Sequence, residues 1–318
     1  MKKLTDVHVH LAALPTPDNG CRLSRRMRQG PLGAMLAWTM GLPWDQPEQA
    51  NMLYLERLRS ELLGSERVGR AVLLGMDGAY DESGRLDESH TDLLVANDAV
   101  LQAAAKAPEL FLPGVSINPQ RADALDELER CAAKGAVLVK VLANSQRFDP
   151  ALPRYRPFYR ALARLGLQLL AHVGFEFSLI GHDQSMGDLE RLVPALEEGA
   201  TVIAAHGCST GLFLWEKHWP LMLALARRFP GFYADVSALT LFNRVGELLR
   251  IARHPELFGR LLFGTDYPLP VFSYPCLLAG SWAGWTAARA AASRFDRQVL
   301  ALEALGIRLK ADITDLFK

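Results

Sequence analysis

Apolar runs of strand length recur along this chain, and segments with helical spacing separate them. The runs are Asp6–His10, Val68–Met76, Leu110–Ile117, Ala136–Leu142, Leu167–Val173, Thr201–His206, Phe232–Ser237 and Arg260–Asp266. Apolar positions three and four apart predict helices over Pro47–Leu63, Thr91–Ala107, Ala122–Ala133, Arg156–Leu165, Gly187–Glu198, Trp215–Phe229, Leu241–Arg253 and Trp285–Leu305. Most of the runs lack strict alternation, as expected of parallel strands covered on both faces. Eight such units in one chain of 318 residues predict a single-domain α/β fold, a (β/α)8 TIM barrel. A doubly wound open sheet is the competing arrangement. Against it, no glycine-rich GxGxxG turn follows any run, and polar residues gather at the ends of many strands instead of at one switch point.

One stretch departs from the rhythm. Between Leu14 and Gln46, prolines and glycines break any long helix, yet PLGAMLAWTMGLPW within it is strongly apolar, with Met35, Trp38, Met40 and Trp44. Residues 14–46 are therefore expected to form an elaborated loop after strand one. Such a loop serves as a lid over the site or as an interface in a homo-oligomer.

Strand-end chemistry changes the picture from a fold to a site. In a strand, side chains two apart share a face, so His8 and His10 of the HVH stretch are expected to emerge together while Val7 and Val9 face the other way. The later strands add Lys140, His172, His206 and Asp266 at or near their C-terminal ends, which converge at the mouth of a barrel. Imidazoles, a lysine and a carboxylate meeting there make a first coordination shell for a divalent cation, most simply zinc.

HVH in strand one, the lysine of strand four, AHVG and AAHG in strands five and six, and GTDYP after strand eight resemble the amidohydrolase superfamily, in its branch of TIM-barrel hydrolases and decarboxylases. The resemblance spans about residues 4–317. It implies His8, His10 and Asp266 on one metal ion, with His172 completing that site or helping hold a second ion. It also implies His206 as a second-ion ligand or an acid/base and orienting group. In two-metal members of the superfamily the strand-four lysine is carboxylated and bridges both ions; in one-metal members it is often absent. Lys140 is thus expected to be either a bridging carbamate or an ammonium that neutralises a substrate carboxylate. The end of the chain, DITDLFK, departs from the Asn-Ala pair that often precedes the final Leu-Phe of such proteins.

A divalent ion lowers the pKa of bound water from 15.7 to about 7. Asp266 is expected to move that water's proton, and His206 or Lys140 to stabilise the oxyanion. Asn144, Arg147, Glu176 and Tyr267 follow strand ends and are expected to bind substrate, with Arg147 a bidentate carboxylate clamp. Asp77, Asn118 and Ser237 occupy similar positions. The expected activity is metal-dependent hydrolysis of a small lactone, amide or ester bearing a carboxylate. Two alternatives stand beside it: one-metal, non-oxidative decarboxylation or hydration of an aromatic or dienoic acid, and a catalytically silent metal-binding protein.

Charge and composition narrow the partners. Basic and acidic residues balance at 35 each, with no basic run, which argues against nucleic acid and anionic membrane surfaces and for a small molecule. Cys21, Cys131, Cys208 and Cys276 lie far apart without a CxxC pair, and polar residues at once interrupt the apolar N-terminal run. Both features predict reduced thiols and a cytoplasmic protein without a signal peptide.

Overall fold

Eight parallel strands form one sheet, hydrogen-bonded in sequence order: β1 (Leu4–His10), β2 (Val68–Leu74), β3 (Phe111–Ser116), β4 (Leu138–Val141), β5 (Gln168–Ala171), β6 (Val202–Ala204), β7 (Phe232–Asp235) and β8 (Leu261–Leu262). The structure is a computed structural model describing residues 3–30, 40–310, 313 and 316–317. Backbone bonds from Val7 N to Phe263 O (2.9 Å), Asp266 N to His8 O (2.9 Å) and His10 N to Tyr267 O (2.8 Å) bring the extension of β8 back to β1. The sheet thereby rolls into a (β/α)8 barrel, as the alternating runs predict.

Helices α1 (Pro47–Leu63), α2 (Asn97–Ala105), α3 (Ala124–Ala133), α4 (Arg156–Leu165), α5 (Val193–Glu197), α6 (Trp219–Arg228), α7 (Val245–Ile251), α8 (Trp282–Ala290) and α9 (Arg294–Ala304) pack around the strands. Two apolar layers result. Val7, Val72, Leu74, Leu138, Leu170, Ile203 and Leu262 fill the barrel interior, while a larger cluster lies between sheet and helices. Truncating any one of these inner leucines or isoleucines to alanine would cost about 2–5 kcal/mol.

Local chemistry explains where the helices differ from their expected bounds. The stretch Trp285–Leu305 divides because Ser293 caps α9, accepting from Phe295 N, after α8 has ended at Ala290. The segment Thr91–Ala107 becomes helical only from Asn97. Before it, Leu93–Leu94 pairs antiparallel with Arg22–Leu23, anchoring the long loop after β1. Within that loop Arg25–Gln29 forms a short helix and Met40 is buried, whereas Met35 and Trp38 lie outside the described residues. All four cysteines are free and buried. No helix among the described residues is long and apolar enough to cross a membrane.

Glu247 on α7 is almost wholly buried, with Oε2 unpartnered among the described residues. Burial, reinforced by Glu216, pushes its carboxyl up to about 8. The folded protein therefore keeps this proton while the unfolded chain loses it from about pH 4.3 upward, so stability falls as pH rises toward 8. Glu247→Gln is expected to abolish that loss. In urea melts the variant should exceed the wild type by on the order of 2–4 kcal/mol at pH 8 and match it near pH 4. A gap that does not change with pH would show that the carboxyl is not the cause.

Candidate metal centre

The first two imidazoles come from β1, by a route that strict alternation misses. Asp6 pairs with Ala71 but Val9 pairs with Leu73, so β1 carries one extra residue there, a bulge. Val7 consequently packs inside the barrel and Val9 outside it, instead of sharing a face. Asp6 braces the bulge: its carboxyl accepts from His8 N (2.8 Å) and from Thr265 Oγ1 (2.6 Å). Gly264 leaves room beside it: a Cβ there would lie 3.1 Å from His8 Cβ and 3.4 Å from Asp235 Cβ, a tight fit that would press on both side chains.

Asp266 leaves the end of β8 in the left-handed region, φ 62°. That turn aims Oδ1 at both β1 imidazoles, 3.4 Å from His8 Nε2 and 3.2 Å from His10 Nε2. The three ligand atoms of His8, His10 and Asp266 all lie within 4.8 Å of one another. Lys140 Nζ from β4 sits 3.2 Å from His8 Nε2. Burial pushes this amine down to about 8, against the pull of Asp266 and Asp235.

His172 and His206 follow β5 and β6. His206, itself at φ 59°, places Nε2 3.2 Å from His172 Nδ1, and its Nδ1 lies 4.0 Å from Asp266 Oδ2. Burial, then the Arg244 charge, holds both imidazoles well below the ordinary histidine range. Burial and Lys140 lower His8 as well. Neutral imidazole is the form that binds metal. His172 Nε2 is buried with no hydrogen-bond partner among the described residues, 3.7 Å from Glu176 Oε2. His8 Nε2, His10 Nε2 and Asp266 Oδ1 are a donor set that fits a divalent cation, and the same cavity holds this orphaned ring nitrogen.

Asp235, the last residue of β7, is the member of this cluster that strand-end reading passed over in favour of Ser237. Its Oδ2 is 2.7 Å from His8 Nδ1, and its Oδ1 accepts from His206 N (2.8 Å), Ser237 N (3.0 Å) and Ser237 Oγ (2.5 Å). A carboxylate on the far nitrogen of a metal-binding histidine fixes its tautomer and orientation. Asp235 also falls within 4.8 Å of His8 and His206 ligand atoms. Its bond to His8 Nδ1 marks it as the holder of that ring.

The centre opens into a cavity of about 320 Å³. His8, His10, Lys140, His172, His206 and Asp266 are among its polar lining, and Leu74, Met76, Leu142, Phe175, Leu241 and Leu269 are among its apolar walls. Met27, from the loop after β1, also lines it. Glu176 lines the cavity too, with Oε1 accepting from Leu179 N at 2.9 Å.

The other three expected substrate contacts do not line this cavity. Asn144 is buried and donates to Gly174 O (3.1 Å) and Gln184 Oε1 (3.0 Å), tying down the loop after β5. Arg147 pairs with Asp87 at 3.1 Å near the surface, so it is not placed as a carboxylate clamp. Tyr267 is fully buried in the outer cluster, its ring stacked on Phe295 at 5.9 Å. Asp77 and Asn118 bond to each other, Asn118 N to Asp77 Oδ2 at 2.8 Å. A buried guanidinium does line the cavity, that of Arg244, which lies beyond the strand-end positions of the sequence.

A family profile described as Amidohydrolase matches residues 5–293. No curated protein matches the chain. Among solved structures, the uncharacterised TIM-barrel protein Bb4693 from Bordetella bronchiseptica is 18% identical, with 96% of this chain and 99% of that one covered and a TM-score of 0.62. The 5-carboxyvanillate decarboxylase LigW from Sphingomonas paucimobilis is 16% identical, covering 96% of this chain and 100% of that one at a TM-score of 0.53. A 5-carboxyvanillate decarboxylase from Novosphingobium aromaticivorans, with bound manganese and 3-methoxy-4-hydroxy-5-nitrobenzoic acid, is 14% identical over 99% of this chain and 97% of that one, TM-score 0.50. Likeness at such identities speaks to the fold, and the profile match over nearly the whole barrel decides the lineage: this chain belongs to the amidohydrolase family.

Proposed function

We propose that this protein is a metal-dependent enzyme that removes a carboxylate, without oxidation, from a small acid with an apolar body. The observation that carries this reading is the division of the cavity. Imidazoles, Lys140 and Asp266 gather at the metal centre, and most of the remaining lining is leucine, methionine and phenylalanine, with Glu176, Asn243 and Arg244 set among it. An aromatic acid is amphipathic in the same sense, with a carboxylate at one end and a flat hydrocarbon face. The decarboxylases of similar fold fit the reading.

His8 Nε2, His10 Nε2 and Asp266 Oδ1 would hold the ion, with His172 Nε2 the next nitrogen available. Two imidazoles and a carboxylate suit zinc; manganese is the rival, and metal quantification per chain separates the two. When bound, the ion supplies positive charge that favours electron density moving onto substrate oxygens. Asp266, whose carboxyl the imidazoles of His8, His10 and His206 hold well below the usual range despite its burial, takes up on Oδ2 the proton of a hydroxyl beside the substrate's carboxylate and delivers it to the carbon that bears that carboxylate. The bond to the carboxylate then breaks, its electron pair stays on the ring, and carbon dioxide leaves. His206, held by Ser237 Oγ at 2.9 Å, keeps that face of Asp266 oriented. The apolar walls exclude water from the carbon that is protonated.

The test is incubation of zinc- or manganese-loaded protein with benzoic acids carrying an adjacent hydroxyl, following carbon dioxide, in parallel with a panel of lactones and amides. Carbon dioxide release without hydrolysis is the expected result. Hydrolysis of a lactone or amide with no carbon dioxide from any acid would overturn it.

Hydrolysis stands as a second reading because of Lys140. An amine pushed down to about 8 is partly free at neutral pH and can take up carbon dioxide as a carbamate, whose oxygens would serve a second ion. Two ions per chain and the added mass of one carbon dioxide on Lys140 would favour it.

Either reaction implies a prediction about stability. The ligands converge only in the folded barrel, so an ion present at about 1,000 times its Kd adds roughly 4 kcal/mol to folding. Chelation is expected to lower the melting temperature as metal content falls. Unchanged melting after verified metal loss would count against this site.

A further inference from the structure

We infer that Arg244 is a recognition residue for a second anionic group on the substrate, one separate from the carboxylate that meets the metal centre. The inference rests on the proposal of an acid substrate and adds to it a diacid or comparable dianion.

Arg244 precedes α7, is 5% exposed and lines the cavity. Its Nη1 donates to Ser209 O at 3.1 Å and its Nη2 to Phe175 O at 3.4 Å. Both acceptors are uncharged backbone carbonyls. Among the described residues no carboxylate lies within ion-pair distance of this guanidinium. Glu176, the nearest candidate by position, is engaged elsewhere: Oε1 takes the amides of Ser178 (2.5 Å) and Leu179 (2.9 Å), and Oε2 faces His172. Glu216 is held by Ser209 Oγ at 2.7 Å and by Thr210 N at 2.5 Å.

A buried guanidinium without a counter-ion is costly, and such groups are retained where something anionic arrives to pair with them. The two carbonyls use one face of the fork, and five N–H donors leave others free toward the cavity. Position supplies the rest. Arg244 is anchored to loops that follow β5 and β6, whereas the ligands of the centre with the shortest mutual distances come from β1 and β8. In an eight-stranded ring β5 stands opposite β1, and β6 stands three strands from it. A ligand whose carboxylate meets the ion thus presents its other end to Arg244, over walls that are apolar. Removing the guanidinium would lose a charge-assisted, fork-shaped contact, about tenfold or more in affinity.

The experiment is calorimetric binding to zinc-loaded protein, with isophthalate as the dianion and 3-carbamoylbenzoate as its mono-anionic isostere. The wild type is expected to bind isophthalate at least about tenfold more tightly, and Arg244→Met to bind the two equally while keeping the affinity for 3-carbamoylbenzoate. Because Arg244 also ties two loop carbonyls, Arg244→Lys is measured beside it. That variant keeps the charge and should keep a preference for isophthalate of about threefold or more. Failure of the wild type to prefer isophthalate, survival of the full preference in Arg244→Met, or its loss in a folded Arg244→Lys would each overturn the assignment. Binding is read without turnover, so the preference can hold even if no acid releases carbon dioxide, and the two proposals fail separately.

Discussion

Asp266→Asn is expected to lower turnover by about a hundredfold to ten-thousandfold while the metal-free protein melts as before. The side chain has two tasks that an amide cannot perform. Oδ1 faces both β1 imidazoles, where an ion would need its negative charge, and Oδ2, on the side of His206, is the oxygen that would move the proton in the proposed reaction. The backbone, by contrast, accepts asparagine readily. Residue 266 sits at φ 62°, a region in which asparagine and aspartate are the most tolerated residues after glycine. Its amide bond to His8 O at 2.9 Å does not involve the side chain and survives. Loss of activity with intact melting would therefore report chemistry and not folding. Steady-state kinetics, metal content and thermal melts on the same preparation check it, and turnover within tenfold of wild type would remove Asp266 from the proton path.

The barrel was legible because its signal is repeated. Runs such as Val68–Met76 and Leu167–Val173 are buried on both faces in one sheet, so each contributes the same pattern independently of its neighbours. The gathering of His8, His10, Lys140, His172, His206 and Asp266 around one cavity was legible for a related reason: strand ends converge whatever the loops do. What lay outside sequence reading depends on how βα loops turn. Asn144 and Arg147 follow β4 as closely as a substrate contact would, yet the chain turns so that one side chain ties a neighbouring loop and the other meets Asp87. Arg244 returns to the mouth from the start of α7, too far along for strand-end reasoning to reach. Asp235 had a readable signal, a carboxylate ending β7 as Asp266 follows β8, but only pairing in space shows that it faces His8. The bulge in β1 had none, because the extra residue depends on β2.

Asp235→Asn is expected to reduce metal affinity by about ten- to a hundredfold, the usual cost of disturbing the partner of a metal-binding histidine, with little loss of stability. The reason is a proton on the wrong nitrogen. Asp235 is fully buried and its Oδ1 already accepts from His206 N, Ser237 N and Ser237 Oγ. In asparagine only the carbonyl oxygen can serve those three donors, so it takes the Oδ1 position and the amide NH2 takes that of Oδ2, 2.7 Å from His8 Nδ1. An NH2 group donates, so Nδ1 must accept and the imidazole proton moves to Nε2. That nitrogen faces Asp266 Oδ1 at 3.4 Å and is the one that would bind the ion at the proposed centre. The N–H formed there would donate to Asp266, closing the site with a hydrogen bond in place of a metal. Asp235→Ala, which leaves the His206 amide and the His8 ring without their partner, should lose a comparable affinity and in addition about 3–5 kcal/mol of stability. Competition titration with a chromophoric chelator gives the affinities, and nitrogen-15 shifts of the imidazoles give the tautomer. Tight metal binding by a folded Asp235→Asn, with the His8 proton still on Nδ1, would refute the tautomer account and return Asp235 to a purely structural part.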